Sequence, residues 1–135
     1  MSISELWFWG SFGLVVEITF TALVNLIKKS VYSREEWNLV GHVSLWMFPV
    51  YALGLTVGFD LVEFLIPNTT LRYFSYPFWV WSVELLIGIP TMNRGVKIWS
   101  YAWLPDWAHY KETISFVHFP LWVLFGILVE FIRGF

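Results

Sequence analysis

The chain has 135 residues, of which 58% are hydrophobic, 21% are aromatic and only 13% are charged, and its formal net charge is −2. Soluble domains average about 25% charged residues, and a soluble chain this short could not cover so much apolar side chain. The composition excludes a disordered chain, and the lack of a basic surplus excludes a nucleic-acid binder. The absence of cysteine excludes disulfides and thiolate metal sites. We therefore expect a small integral membrane protein.

Four apolar segments are long enough to be membrane-spanning helices, which need about 20 mostly apolar residues each. In chain order these predicted helices cover about residues 6–27, 39–58, 71–89 and 114–132, and a shorter apolar run follows the second as far as residue 66. The runs are continuous and lack the strict alternation of barrel strands, so we expect an all-α protein. The predicted fold is an integral membrane four-helix bundle with short loops, forming a single transmembrane domain over residues 1–135.

The basic residues indicate how the predicted helices are oriented. Six of the eight Lys and Arg residues lie in the segments 28–38 and 90–113, and the other two are Arg72 and Arg133. Cytoplasmic loops carry an excess of basic residues. We therefore expect a multi-pass protein with both of these loops in the cytoplasm and both termini on the non-cytoplasmic side.

Aromatic residues crowd the long segment between the third and fourth predicted helices, namely Trp99, Tyr101, Trp103, Trp107 and Tyr110. Trp and Tyr rings have an apolar body and a polar tip, which suits the boundary between membrane and water. We expect this segment to be a short amphipathic stretch at the interface. Membrane anchoring explains it, and a binding platform for a lipid headgroup or a protein partner is the alternative.

Polar residues within the apolar helices are the places where the sequence points to chemistry. An ionisable group at mid-bilayer costs about 2.5–3.5 kcal/mol to insert, so it usually faces protein or water. The residues that we assign to an intramembrane polar face are Glu17, Thr21, Asn25, Tyr51, Glu84 and Glu130. We expect Glu17 to point into the bundle and to meet a polar group on another helix, the candidates being Ser44, Tyr51, Trp81 and Glu84.

Glycines recur on the same helix faces, and small residues let two helices approach closely. The residues that we assign to helix packing are Gly10, Gly13, Gly54, Gly58, Gly88 and Gly126. Gly54 and Gly58 form a GxxxG pair in the second predicted helix. Each of the other four shares a helix face with one of the glutamates.

Three roles are open for the glutamates Glu17, Glu84 and Glu130. They can fix helix packing through hydrogen bonds, form a protonatable or cation-attracting pocket, or bind a metal together with His42 or His118. A carboxylate-bridged metal site in a bundle needs Glu-x-x-His on facing helices. The chain contains no Glu-x-x-His, so we predict no metal and no cofactor.

Two further polar features are more typical of structure than of catalysis. Asp106 and His109 are three residues apart and resemble a catalytic pair, but no nucleophile motif accompanies them. His118 precedes Pro120, and we expect it to be structural, near the carbonyl of Phe116 that the proline leaves without a donor.

Short motifs follow one another along most of the chain, from about Gly10 to Glu130: Gly13-Leu-Val-Val-Glu17 with Phe20-Thr21-Ala22, Ser44-x-Trp46 before Tyr51-x-x-Gly54, Leu71-Arg72-Tyr73, Glu84 with Gly88, Trp99-x-Tyr101, and Pro120-x-Trp122 before Gly126 and Glu130. This order resembles the transmembrane protein 229 family and its bacterial relatives, which are labelled ABC-transporter type IV or CmpB-like. The resemblance implies a four-helix membrane protein of this size and no established reaction. The chain departs from the family pattern in Val83, where the family has Trp before its glutamate. It also departs in Trp99-Ser100-Tyr101-Ala102, where the family has Trp-Asp-Tyr-Ser.

Because the chain has almost no extramembrane domain, we expect the protein to act at membrane depth. The favoured hypothesis is a non-enzymatic subunit of a membrane complex, or a module that binds a lipid or a small amphiphile. The expected partners are membrane lipids and a larger membrane-protein complex or further copies of the chain. The alternative is an ion- or proton-coupled carrier or an intramembrane enzyme, with Glu17 as the proton acceptor and with Thr21 and Asn25 orienting it.

Overall fold

The structure is a computed structural model that describes residues 2–32, 43–96, 98–102 and 104–134, with the side chains of the first range described as far as residue 25. This part of the chain is mostly helical and contains four helices: α1 (Ile3–Tyr32), α2 (Met47–Leu65), α3 (residues 69–93) and α4 (Phe119–Arg133). Two short strands, β1 (His109–Tyr110) and β2 (Ile114–Ser115), pair antiparallel between α3 and α4.

The chain divides into two compact units, and each is built around a pair of helices. Unit 1 covers Met1–Asp60, where α1 packs against α2 as far as Asp60. Unit 2 covers Leu61–Phe135, where α3 packs against α4, and it includes the last five residues of α2. Aromatic rings meet edge to face across each helix pair, namely Trp7 with Phe48 in unit 1 and Phe78 with Phe119 in unit 2. These contacts add to the burial of apolar area that holds each pair of helices together.

Two helices in the described part of the chain are long and apolar enough to cross a membrane, Ile3–Asn25 within α1 and the whole of α2, Met47–Leu65. The rest of the described chain buries 22% of the most apolar stretch of the first and 33% of that of the second. Large apolar side chains are exposed along both helices. The two helices therefore support membrane association, and they overlap the first and second helices that the sequence predicts.

Both α2 and α3 contain one turn that is wider than an α-helical turn, at Gly54–Gly58 and at Glu84–Gly88. In α2 the hydroxyl of Thr56 donates to the carbonyl of Ala52 at 2.6 Å, a bond that tends to bend a helix. In α3 the wide turn comes directly before Pro90, which has no N–H to donate and whose ring crowds the carbonyl four residues earlier. Wide turns of this kind are frequent at functional sites.

The starts of α2 and α3 differ from the predicted ones. The sequence places the second helix from residue 39, but residues 39–42 lie outside the described residues and α2 begins at Met47. α3 begins two residues earlier than predicted because Asn68 is its N-cap. The Asn68 side-chain oxygen accepts a hydrogen bond from the Leu71 N–H at 3.0 Å, which satisfies one of the donors that a helix start leaves free.

The predicted start of the fourth helix at residue 114 is wrong. Ile114–Ser115 is strand β2, and α4 begins at Phe119. Pro120 explains the start, because a proline fits the first turn of a helix, where its missing N–H costs nothing. Pro120 therefore leaves no kink within α4, and the predicted role of His118 beside such a kink does not apply.

The segment between α3 and α4 is not the short amphipathic stretch that the sequence predicts. It contains a 3-10 turn at Asp106–Ala108 that leads into the β1–β2 pair, so the described chain is not purely α-helical. Trp99 and Tyr101 are half-buried, and their polar atoms bond inside unit 2. Trp107 and Tyr110 are 76% and 45% exposed, as expected of residues at an interface.

Four of the six glycines that the sequence assigns to packing lie beneath a side chain of another element. The pairs are Gly10 with Phe48, Gly13 with Tyr51, Gly88 with Trp99 and Thr113, and Gly126 with Tyr76. The GxxxG pair differs, because no described atom lies within 4 Å of a Cβ added at Gly54, and Gly58 meets only the Leu53 carbonyl of its own helix at 3.7 Å. Among the described residues this pair bounds the wide turn of α2, and no side chain of another helix lies over either glycine.

Replacing Gly13 with alanine is expected to destabilise the protein. The new Cβ would collide with Cβ and Cγ of Tyr51, which lie too close to the α2 backbone to swing aside. Overpacking of this kind costs about 1–3 kcal/mol, which exceeds the gain of at most about 1 kcal/mol from the better helix propensity of alanine.

The measurement is the free energy of unfolding in detergent micelles, with Gly54→Ala as the matched control. Gly54 has helical dihedral angles and open space around a Cβ, so its replacement should leave stability unchanged or raise it. Equal effects of the two substitutions would contradict the packing role of Gly13.

Candidate functional site

In unit 1 a glutamate of α1 meets a tyrosine of α2. The Tyr51 hydroxyl donates a hydrogen bond to the Glu17 carboxylate, and the Tyr51 ring lies over Gly13, one turn before Glu17. Because Gly13 has no side chain, the ring can lie close to the α1 backbone and bring its hydroxyl to the carboxylate. Of the four candidate partners predicted for Glu17, Tyr51 is the one that the structure joins to it.

In unit 2 a glutamate of α4 meets a tyrosine and an arginine of α3. The Tyr76 hydroxyl donates to the Glu130 carboxylate. The Arg72 guanidinium forms a two-point contact with the same carboxylate, from Nε to Oε1 at 2.5 Å and from Nη2 to Oε2 at 2.8 Å. A planar guanidinium fits a carboxylate in this way, and such charged bonds are roughly twice as strong as neutral ones.

The two glutamate contacts have the same construction. In unit 2 the Tyr76 ring lies over Gly126, one turn before Glu130, as Tyr51 lies over Gly13 in unit 1. The sequence carries a signal for this likeness, because both helices contain Gly, two aliphatic residues, Val and Glu in succession, at residues 13–17 and 126–130. Sequence reasoning noted single glutamates on the helices and did not identify this repeated motif, nor Tyr76 and Arg72 as partners.

Arg72 also holds the connection between α2 and α3. Its Nη1 donates to the carbonyl of Ile66 at 3.1 Å and to that of Pro67 at 3.4 Å. These carbonyls follow the end of α2 and have no helical donor of their own. The Arg72 guanidinium, at the start of α3, therefore bonds both to the carbonyls that follow α2 and to Glu130 near the end of α4.

The third glutamate, Glu84, lies at the start of the wide turn of α3 and is 6% exposed. The Tyr101 hydroxyl donates to its Oε1 at 2.8 Å. Neighbouring indoles bond to the same connecting segment, with Trp81 Nε1 donating to the Ser115 carbonyl at 3.2 Å and Trp99 Nε1 to the Thr113 carbonyl at 2.9 Å. The segment before α4 is thus fastened to α3 by two side-chain hydrogen bonds, Tyr101 to Glu84 and Trp81 to Ser115, and the Trp99 bond lies within the segment itself.

The remaining predicted site residues take structural positions or lie outside the described residues. The Thr21 hydroxyl donates to the carbonyls of Glu17 and Ile18 at 3.0 and 3.1 Å, and Asn25 lies further along the same helix. His42 and Trp103 are outside the described residues. The Thr21 hydroxyl therefore bonds to the backbone of α1.

Asp106 begins the 3-10 turn Asp106–Ala108, and His109 follows directly after it. Asp106 Oδ1 lies 4.0 Å from His109 Nε2, beyond hydrogen-bond distance, and Asp106 is fully exposed. His109 Nδ1 accepts a hydrogen bond from the Glu112 N–H at 3.1 Å. Among the described residues, no group of three or more His, Asp or Glu side chains is placed to hold a metal ion.

Removing the tyrosine hydroxyls is expected to destabilise both helix pairs. Tyr51→Phe and Tyr76→Phe each keep the ring over its glycine and take a donor from a carboxylate. Such a loss costs about 1–3 kcal/mol. The free energy of unfolding in micelles is the measurement, and Tyr73→Phe on α3, whose hydroxyl makes no hydrogen bond among the described residues, is the matched control.

The size of the two losses should differ. Glu130 keeps the two-point contact with Arg72, so Tyr76→Phe should cost less than Tyr51→Phe. Glu17→Gln should be milder than Glu17→Leu, because an amide oxygen still accepts from Tyr51. Losses at Tyr51 and Tyr76 no larger than at Tyr73 would contradict the structural role of these bonds.

Comparisons with known protein families, with curated proteins and with solved structures find no match to this chain. The resemblance to the transmembrane protein 229 family therefore stays a prediction.

Proposed function

We propose that the chain is a multi-pass integral membrane protein that acts as a non-enzymatic, lipid-binding subunit of a membrane complex. The four helices would form the transmembrane part. The loops 28–38 and 90–113 would face the cytoplasm, and both termini would lie on the other side. Lipid or a small amphiphile is the proposed ligand, and a larger complex or further copies of the chain are the proposed protein partners.

The observation that carries this proposal is the exposed apolar surface of α1 and α2. Large apolar side chains that are more than 40% exposed occur along both helices, among them Trp7, Phe8, Val15, Leu23, Leu53, Val57, Phe64 and Leu65. Monomeric soluble proteins rarely expose continuous apolar surface of this extent. Acyl chains are the solvent that matches such a surface, so lipid contact is the simplest role for it.

The partners of the three glutamates support a structural role over a catalytic one. Glu17 accepts from Tyr51, Glu84 from Tyr101, and Glu130 from Arg72 and Tyr76. A carrier that moves a proton through these carboxylates would need them to share a route. Each carboxylate is instead bonded to its own partner on another element of the same unit, which is typical of groups that fix helix packing.

The exposed aromatic residues before α4 support contact with lipid headgroups. Trp107 and Tyr110 are exposed, and the Lys111 ammonium lies 5.5 Å from the centre of the Tyr110 ring. Their backbone is well fixed, because Ala108, between them, is completely buried and accepts the Phe116 N–H at 2.9 Å. Fixed aromatic rings beside a cation suit the headgroup layer, where phosphates and acyl chains meet.

Cysteine labelling tests the proposed orientation, because the chain has no cysteine of its own. We expect a membrane-impermeant maleimide to label Ser2→Cys in intact cells or oriented vesicles from the non-cytoplasmic side. Ala102→Cys, in the loop 90–113, should be labelled only after the membrane is opened. Labelling of Ala102→Cys in intact cells would contradict the orientation, and labelling of neither site in either state would contradict exposure of these segments.

Native mass spectrometry tests the proposed lipid binding. The protein, extracted in a mild detergent from vesicles of phosphatidylglycerol and phosphatidylethanolamine, should retain phospholipid. The double variant Trp107→Ala with Tyr110→Ala should retain less, and the control Leu86→Ala, which removes an exposed apolar side chain from α3, should retain as much as the unchanged protein. A single monodisperse protomer with no bound lipid and no partner would contradict the proposal.

A further inference from the structure

The non-helical segment before α4 lies along α3 at three successive levels. Thr113 and Trp99 pack over Gly88, Tyr101 bonds to Glu84, and Ser115 bonds to Trp81. At about 1.5 Å of rise per residue, Trp81 is about 18 Å from the end of α3 at Asn93. The segment therefore does not stay at the end of the helix, because its contacts with α3 extend back alongside the helix as far as Trp81.

Several backbone groups of this returning segment are hydrogen-bonded within unit 2. The Tyr101 N–H donates to the Glu112 carbonyl at 2.7 Å, and indole donors from Trp81 and Trp99 reach the carbonyls of Ser115 and Thr113. Thr113 and Ser115 are completely buried. Non-helical backbone is tolerated at membrane depth only when protein buries it or when it lines a water-filled cavity.

A row of polar side chains lies where the segment meets α3 and α4. Tyr101 bonds to Glu84, the Tyr101 and His118 rings are 5.4 Å apart between centres, and the His118 and Trp122 rings are 6.5 Å apart. Trp122 Nε1 and Ser115 Oγ are buried and meet no hydrogen-bond partner among the described residues. Buried polar groups are nearly always paired, so each of these two atoms calls for a partner such as a water molecule.

We propose that the described residues of 98–118 form a re-entrant segment, and that this segment and the wide turn of α3 enclose a water-binding polar site beside Glu84. The site would take up water from the side of the membrane where α3 ends. This inference rests on the proposed function in one respect, that α3 crosses the bilayer. It adds a hydrated interior to a protein that is otherwise in contact with lipid.

Water is the ligand that the chemistry of these groups favours. The Trp122 N–H needs an acceptor, the Ser115 hydroxyl both donates and accepts, and the Glu84 side chain offers acceptor oxygens. A water molecule supplies donors and acceptors together, and buried water characteristically makes about three hydrogen bonds to groups of this kind. A metal ion would serve Glu84 and leave the indole N–H of Trp122 without an acceptor.

Single cysteines in the cysteine-free chain test this site. We would prepare His118→Cys inside the proposed site and Ser82→Cys on the exposed face of α3, where the native serine bonds back to the Phe78 carbonyl. Both proteins would be placed in vesicles of phosphatidylcholine and treated from both faces with a small, charged methanethiosulfonate. Only a thiol in contact with water forms the reactive thiolate.

We expect His118→Cys to react at least about tenfold faster than Ser82→Cys, because a thiol in acyl chains stays protonated. Equally slow reaction at both positions would overturn the hydrated site and leave the lipid-facing function standing. Fast reaction at Ser82→Cys would overturn the membrane depth of α3, and with it the proposed function. If His118→Cys does not elute as a folded protein, the smaller change Ser115→Cys takes its place in the same comparison.

Discussion

A carboxylate on an apolar helix has to find a donor on a neighbouring helix, and both units are arranged around this constraint. Leaving a buried acceptor unpaired costs more than the bond itself contributes to stability. The tyrosines of α2 and α3 meet the glutamates of α1 and α4, respectively. The position of each tyrosine sets how the two helices of the pair face each other, and the glycine beneath its ring sets how closely they approach.

The two units differ in the charge of the groups that donate hydrogen bonds to the glutamate. Tyr51 offers Glu17 a neutral donor, whereas Glu130 also receives the Arg72 guanidinium. Arg72 lies near the start of α3 and donates to the Ile66 carbonyl just after α2. It therefore caps the end of α2 and is also the counter-ion of Glu130. Unit 2 is therefore fastened at the helix end, and unit 1 is fastened in the middle of its long helix.

The sequence predicted the elements whose signal is local. The long apolar runs indicated α1 and α2, and the spacing of Gly13, Glu17 and their neighbours indicated which face of α1 is turned inward. Tyr51 was among the predicted partners of Glu17, because depth along a helix can be counted from the sequence. These inferences needed only the periodicity of a helix and the cost of burying charge.

The features that the sequence did not predict depend on contacts between distant residues or on competing local rules. Arg72 and Tyr76 reach Glu130 across more than fifty residues, and no pattern near Glu130 indicates them. Gly54 and Gly58 have the spacing of a packing motif, but no described atom of another helix lies within 4 Å of a Cβ built at either position. The apolar run from residue 114 is typical of a helix, although Pro120 and the hydrogen bond from Trp81 of α3 to the Ser115 carbonyl of β2 favour a later start.

The tyrosine and the glutamate of each contact belong to the same unit, so the contact of unit 1 needs no residue that is synthesised after Asp60. Synthesis proceeds from the N-terminus, and domains generally fold as units in that order. Glu17 and Tyr51 are 34 residues apart and both belong to the first sixty residues. Glu17 can therefore form its hydrogen bond with Tyr51 before α3 and α4 have been synthesised, and its carboxylate does not stay unpaired while the second half of the protein is made.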